Sequence, residues 1–187
     1  MSLITQSELD ADLNHLSVSQ LRSVVEHCPR EHWGWPDLLL AVSSRETNVV
    51  NEVGDDGHGR GAWQIDDRTW GSWLKSVPGC RSGSWNPQLG TNALEAGYCP
   101  TLEDGLLKAV AILKIGWDYA IQNEVPTNEA ARVMVASYNC GPGNALAGWR
   151  QDRNPDAFTT GGNYSWDCLG REGMVHDYLI RNKLIKP

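Results

Sequence analysis

Residues 106–122 read LLKAVAILKIGWDYAIQ, and this stretch decides the fold class. Apolar side chains fall on most faces of a helix wound from it. That is the pattern of a helix buried at the centre of a domain. Thr101 and Asp104 stand just ahead of it with capping-box spacing. Helical signals continue on both sides. Downstream, Pro126 and Thr127 open NEAARVMVASYN (128–139), which Gly141-Pro142-Gly143 stops. A glycine-containing loop around Gly161 and Gly162 then leads to a last helix over about 172–182. Upstream, Pro36 starts a helix through DLLLAVSSRE (37–46). Ser17 and Gln20 form a capping box before LRSVVEHC (21–28), which Pro29 ends, and Ser7 precedes a short helix candidate, ELDADLNHL.

Two stretches break this pattern. From Thr47 to about Asp66, Gly54, Gly57, Gly59 and Gly61 make the chain too glycine-rich for a helix, and short strands with tight turns are expected. Residues 70–100 read as loop, with Gly71, Pro78, Gly79, Gly83, Pro87, Gly90, Gly97 and Pro100. The expected architecture is mostly α (α+β), with one small early β element, in a single domain over 1–187. Residues 1–30 read as an N-terminal helical extension and 70–100 as a loop-rich insertion.

The chain has 187 residues and a net charge of −7 from 16 Lys and Arg against 23 Asp and Glu. This balance argues against nucleic acid, whose binders carry a basic excess. It argues equally against an electrostatic membrane-surface binder. No apolar run approaches the roughly 18 residues that span a bilayer, and the N-terminus has no basic start, apolar core and cleavage site of a secretory signal. Five cysteines (28, 80, 99, 140 and 168) leave at least one unpaired, and no CxxC occurs. Cys80 and Cys99 flank a loop where a disulfide could close; free thiols are the default. Nine tryptophans stand against a single phenylalanine, a ratio that core packing alone does not explain.

The candidate chemistry begins at Glu46. It closes a helix whose residues 38–42 are apolar, so it emerges beside the core. A carboxyl against apolar walls stays protonated at neutral pH, as a general acid must. Asp55, Asp56, Asp66 and Asp67 follow. Two carboxyl groups in unlike environments are what glycoside hydrolysis requires. Spacing alone leaves the plainer alternative open: a helix-terminal Glu is usually solvated and Asp-Gly pairs are usually turns. A calcium loop over 55–66 fails, because Gly57 and Gly59 fall on liganding positions and no Glu closes it.

Three separated motifs carry a family resemblance: SSRET (43–47), GDDGHGRGAWQID (54–66) and ASYNCGPGN (136–144). In order and spacing they resemble the goose-type lysozymes and the related soluble lytic transglycosylases, over roughly residue 36 to the end. The resemblance implies a lysozyme-like fold, with a helical core and a small β-hairpin or three-stranded sheet beside the active-site cleft. It implies Glu46 as the catalytic acid, with Asp55 and Asp66 around the hydrolytic water. Gln64, Tyr138, Asn139 and, on a shorter match at Thr159-Thr160, Tyr164 fall on positions lining the sugar groove. Each of these also has an ordinary structural alternative: Gln64 as a hairpin hydrogen bonder, Tyr138 and Asn139 as packing and capping at a helix end. Trp70 stands where goose-type enzymes often carry a histidine, and is expected to stack on sugar.

The implied reaction is cleavage of the β-1,4 bond between N-acetylmuramic acid and N-acetylglucosamine in peptidoglycan glycan strands. Asp55 and Asp66 favour hydrolysis with inversion over the lytic transglycosylase reaction, which needs no such aspartates. A non-catalytic wall-binding module is the third possibility. No cofactor and no metal are expected, and a monomer is. A wall-lytic chain without an export signal suits a bacteriophage endolysin released by a partner pore protein; a secreted enzyme is the alternative. The tryptophans divide on this reading. Trp63 and Trp117 go to the core, Trp33 and Trp35 pack the start of the helix bearing Glu46, and Trp70, Trp73, Trp85 and Trp149 form a carbohydrate platform.

Overall fold

A computed structural model describes residues 4–29, 31, 35–54, 56, 58–74 and 102–187. The described residues are mostly helical. Eight α-helices lie among them: α1 (Gln6–Leu13), α2 (Val18–His27), α3 (Pro36–Thr47), α4 (Asp67–Leu74), α5 (Leu102–Gln122), α6 (Thr127–Cys140), α7 (Pro142–Asp152) and α8 (Tyr164–Arg181). Between α3 and α4, β1 (Val53–Gly54) pairs antiparallel with β2 (Gly59–Arg60), Val53 opposite Arg60 and Gly54 opposite Gly59. The sheet among the described residues is this two-stranded ladder, not a three-stranded one.

α5 occupies the position its composition demands. Leu106, Ala109, Ile112, Leu113 and Ala120 are buried, and α2, α3, α4, α6 and α7 all pack on it. Gly116 sets its distance from α6: a Cβ there would lie 3.0 Å from the Met134 carbonyl oxygen and 3.2 Å from Ser137 Cβ. A second layer forms where α3 packs along α8, with α1 across both. A smaller cluster of Ala120, Val125, Ala130, Val133, Ala136, Ala145, Leu146 and Trp149 joins α5, α6 and α7, and Trp117 packs against both clusters.

α1 and α2 pack into the main core through Leu9, Leu13, Leu21 and Val24. Burying an aliphatic side chain of this size contributes about 1.5–3 kcal/mol, so α1 and α2 belong to the same folding unit. α2 carries the expected box: Ser17 Oγ accepts from Gln20 N at 3.3 Å and Gln20 Oε1 accepts from Ser17 N at 2.9 Å. α1 is capped by Thr5 and Glu8, two residues upstream of the expected Ser7.

Three expectations are corrected. Residues 70–74, expected as loop, lie in α4, with Trp70, Gly71 and Leu74 on its buried side. Gly141-Pro142-Gly143 stops α6 but also starts α7. Gly141 turns the chain with φ +82°, a conformation glycine adopts freely, and Pro142 sits in the first turn of α7 where no N–H is needed. α8 begins at Tyr164, eight residues before the expected start. No helix among the described residues is long and apolar enough to cross a membrane.

Candidate active site

The C-terminal end of α3, the β1–β2 hairpin, the start of α4, the end of α6 and the 3-10 turn Thr160–Gly162 converge on one cleft. Glu46, Gly59, Gln64, Asp66, Arg68, Tyr138, Asn139 and Thr160 line it, and its volume is about 380 Å³. Four separate sequence motifs therefore meet in space.

Glu46 lies one residue from the end of α3, and the chain leaves that helix through Asn48 in the left-handed conformation. Burial is the main influence on the Glu46 carboxyl and raises its pKa to about 7. Two weaker effects oppose it. The Tyr164 hydroxyl donates to Glu46 Oε1, and the Arg45 guanidinium is a nearby positive charge. Burial first, then the charge of Glu46, holds the Tyr164 hydroxyl well above its ordinary pKa. Tyr164 is thus a permanent donor, and at neutral pH Glu46 is populated in both protonation states.

Asp66 sits at the cleft rim and caps α4. Its Oδ1 accepts from Arg68 N at 2.8 Å and Thr69 N at 3.2 Å, and its Oδ2 pairs with Arg68 Nη2 at 2.8 Å. A water at Asp66 must share oxygens already engaged. Asp55 lies outside the described residues.

Gln64 holds the hairpin closed. Its Nε2 donates to the carbonyls of Glu52 (3.1 Å) and Gly61 (3.0 Å). Its amide end lies so close to the strands that a Cβ at Gly54 or Gly59 would come within 2.2 or 2.3 Å of Oε1. Gly54 and Gly59 leave room for this side chain. Gln64 lines the cleft and is also the hydrogen bonder that the plainer alternative describes.

Tyr138 is buried, with its hydroxyl donating to the Trp63 carbonyl at 2.8 Å. Asn139 Oδ1 accepts from Thr160 N at 2.8 Å. These two residues tie the end of α6 to the hairpin and to the 3-10 turn Thr160–Gly162. Sequence reasoning missed Asp156, in the 3-10 turn Pro155–Phe158. It is fully buried and accepts from Ser165 N (2.7 Å) and Ser165 Oγ (2.6 Å). It therefore fixes the first turn of α8, the turn that presents Tyr164. The Asn-Pro-Asp run at 154–156 carries no sequence signal that warns of this.

The tryptophans divide differently from the expectation. Trp63 is core, with Nε1 donating to the Leu39 carbonyl at 2.7 Å. Trp70 is also core. It is 1 % exposed, and its Nε1 donates to the Tyr138 carbonyl at 3.1 Å. Neither ring face is open to a sugar, so the stacking role is withdrawn. The reason is α4: a helix there turns position 70 inward, where a loop would not. Trp149 is withdrawn too. It is buried in α7 and bonds Glu129 at 2.5 Å, and the Arg153 guanidinium lies 4.1 Å from its ring centroid. Trp73 is exposed, as a platform residue would be. Trp35, expected to pack, is 45 % exposed. Trp166, which the sequence reading did not sort, is 64 % exposed. Trp33 and Trp85 lie outside the described residues, as do Cys80 and Cys99.

Cys140 and Cys168 are free thiols. Burial pushes Cys140 up to about 11 and Cys168 further, so both stay protonated and neither is an activated nucleophile.

Compared with known proteins, the chain matches no family model and no curated protein.

Proposed function

We propose that this chain is a peptidoglycan-cleaving muramidase of lysozyme-like fold. In this reading Glu46 is the general acid that protonates the leaving oxygen of the β-1,4 bond between N-acetylmuramic acid and N-acetylglucosamine. One observation carries the reading. A single carboxyl, raised to about 7 by burial and held by a tyrosine donor, opens onto a polar cleft lined by residues from separate motifs. A general acid works best with a pKa near the working pH. The amide and hydroxyl groups of Gln64, Asn139 and Thr160 suit a substrate rich in hydroxyl and acetamido groups. The chain's net charge of −7 makes stacking and hydrogen bonding better sources of affinity than attraction to an anionic wall.

Hydrolysis with inversion is the first form of this proposal. Asp66, on the same cleft, and Asp55 would position the attacking water. A specific observation favours a second form, the lytic transglycosylase reaction. Both Asp66 oxygens already accept hydrogen bonds from α4 and Arg68. In that form the muramic 6-hydroxyl attacks intramolecularly and Glu46 alone carries the proton transfers. Mass spectrometry of fragments released from purified peptidoglycan decides between them. Reducing ends support hydrolysis; anhydro ends, lighter by one water, replace it with the second form.

We also propose that the chain acts on the bacterial wall as a phage endolysin would, reaching it through a partner pore, or else as a secreted enzyme.

A further inference from the structure

Behind Glu46 lies a buried charge network. Arg45 Nε meets Asp167 Oδ2 at 2.8 Å. Arg171 donates to both Asp167 oxygens at 3.1 Å and, through Nη1, to Ser44 Oγ at 2.7 Å. Ser44 Oγ in turn donates to Asp12 Oδ2 at 2.6 Å. Three helices contribute: α1 (Asp12), α3 (Ser44 and Arg45) and α8 (Asp167 and Arg171). Two arginines face two aspartates, so the group is neutral as a whole. Its near end is the sensitive one. Arg45 adjoins Glu46 in sequence, and its guanidinium carbon lies 5.7 Å from the centroid of Tyr164, whose hydroxyl binds Glu46.

We propose that Asp167 is a positioning residue that sets the pH range over which Glu46 keeps its proton, by holding the Arg45 guanidinium against the Tyr164 ring. The proposal rests on Glu46 being the working acid. An unpaired cation beside a buried carboxyl would favour its ionised form and disarm it at neutral pH. Asp167 supplies the balancing charge. The other titratable groups toward Glu46 among the described residues are Tyr164 and Cys168 of α8, Tyr138 of α6, and Asp66 and Arg68 across the cleft. Of these, Asp66 and Arg68 pair with each other. After burial and the Tyr164 bond, Arg45 is the charge that bears on Glu46, and Asp167 is its partner. The network also gives α1 a role at the site: Asp12 anchors the Ser44–Arg171 end.

The test is a carbon-detected NMR titration of the Glu46 carboxyl, assigned by its absence in Glu46→Gln, alongside the pH dependence of cleavage. Asp167→Asn leaves a net positive charge, and the Glu46 midpoint should fall by about one pH unit. The alkaline limb of cleavage should move down with it, while the rate well below that limb stays within about threefold. Arg45→Gln should move both up, and the double variant, neutral again, should return them near the parent. Arg45→Gln remains informative if Asp167→Asn folds poorly. Midpoints that coincide in parent and variants, or a fall in Arg45→Gln, overturn the proposal. If Glu46→Gln cleaves normally, the proposed function fails while the titration still reports on Asp167.

Discussion

The hydroxyl of Tyr164, at the first residue of α8, donates to Oε1 of Glu46, next to the last residue of α3. The bond joins two helices that pack along each other, so the position of the acid is tied to the core. It also opposes burial, because a donor stabilises the ionised carboxylate. Tyr164→Phe should thus raise the Glu46 pKa and move the alkaline limb of cleavage to higher pH. Loss of positioning should cost roughly 10-fold in kcat. A limb that moves down would show that the hydroxyl is not acting on Glu46.

The raised pKa of Glu46 has a consequence for stability. Unfolded, the carboxyl ionises near 4.5; folded, near 7. Between these values the folded state holds the extra proton, so stability falls as pH rises through the window, by roughly 3 kcal/mol at most. Glu46→Gln removes that dependence. Denaturant unfolding should find the variant close to the parent at pH 4 and more stable at pH 8. Equal differences at both pH values would mean that the carboxyl is not perturbed by folding.

Trp70 tests the corrected tryptophan assignment. Trp70→Ala should destabilise by about 3–5 kcal/mol, the usual cost of emptying a core site of that size. Trp73→Ala, at a position 40 % exposed whose ring meets Trp70 and Tyr119, should cost clearly less. If Trp70→Ala keeps its stability and loses only glycan affinity, the original stacking role is restored.

Asp156 links stability to the site. Asp156→Ala leaves the buried Ser165 N–H and hydroxyl without their acceptor, at a cost of roughly 2–4 kcal/mol. It also loosens the turn that carries Tyr164. Urea unfolding and cleavage should both fall, while Ser165→Ala, which keeps the backbone bond, should fall less in each. Full cleavage by Asp156→Ala at a temperature where it is folded would separate this residue from the site.

The sequence made the helical class legible because α5 is apolar on most faces and α2 carries its own capping box. The convergence of Glu46, Gln64, Asp66, Tyr138 and Asn139 was legible only through the family resemblance of three motifs, since spacing alone left Glu46 as an ordinary solvated helix end. What was hidden depended on context. Pro142 reads as a stop after α6, yet the same ring geometry suits the first turn of α7. Tyr164 to Arg171 includes Ser165, Gly170 and an exposed Trp166, weak helix signals that Asp156 offsets from outside the segment. Trp70 is expected on sugar because it stands where the resemblance puts a groove histidine, in a stretch that reads as loop; α4 turns it inward instead. The Asp12–Ser44–Arg171–Asp167–Arg45 network joins residues up to 159 positions apart, from Asp12 to Arg171, and no local pattern announces it.

Release of soluble fragments from purified peptidoglycan by the parent and by Glu46→Gln, at pH 6 and with both proteins confirmed as folded, is the most direct measurement. The parent should release muropeptides, and the variant should fall by at least ~100-fold. Release by the variant at the parent's rate would contradict the assignment of Glu46 as the acid, and binding to the wall with no release by the parent would contradict the enzyme itself.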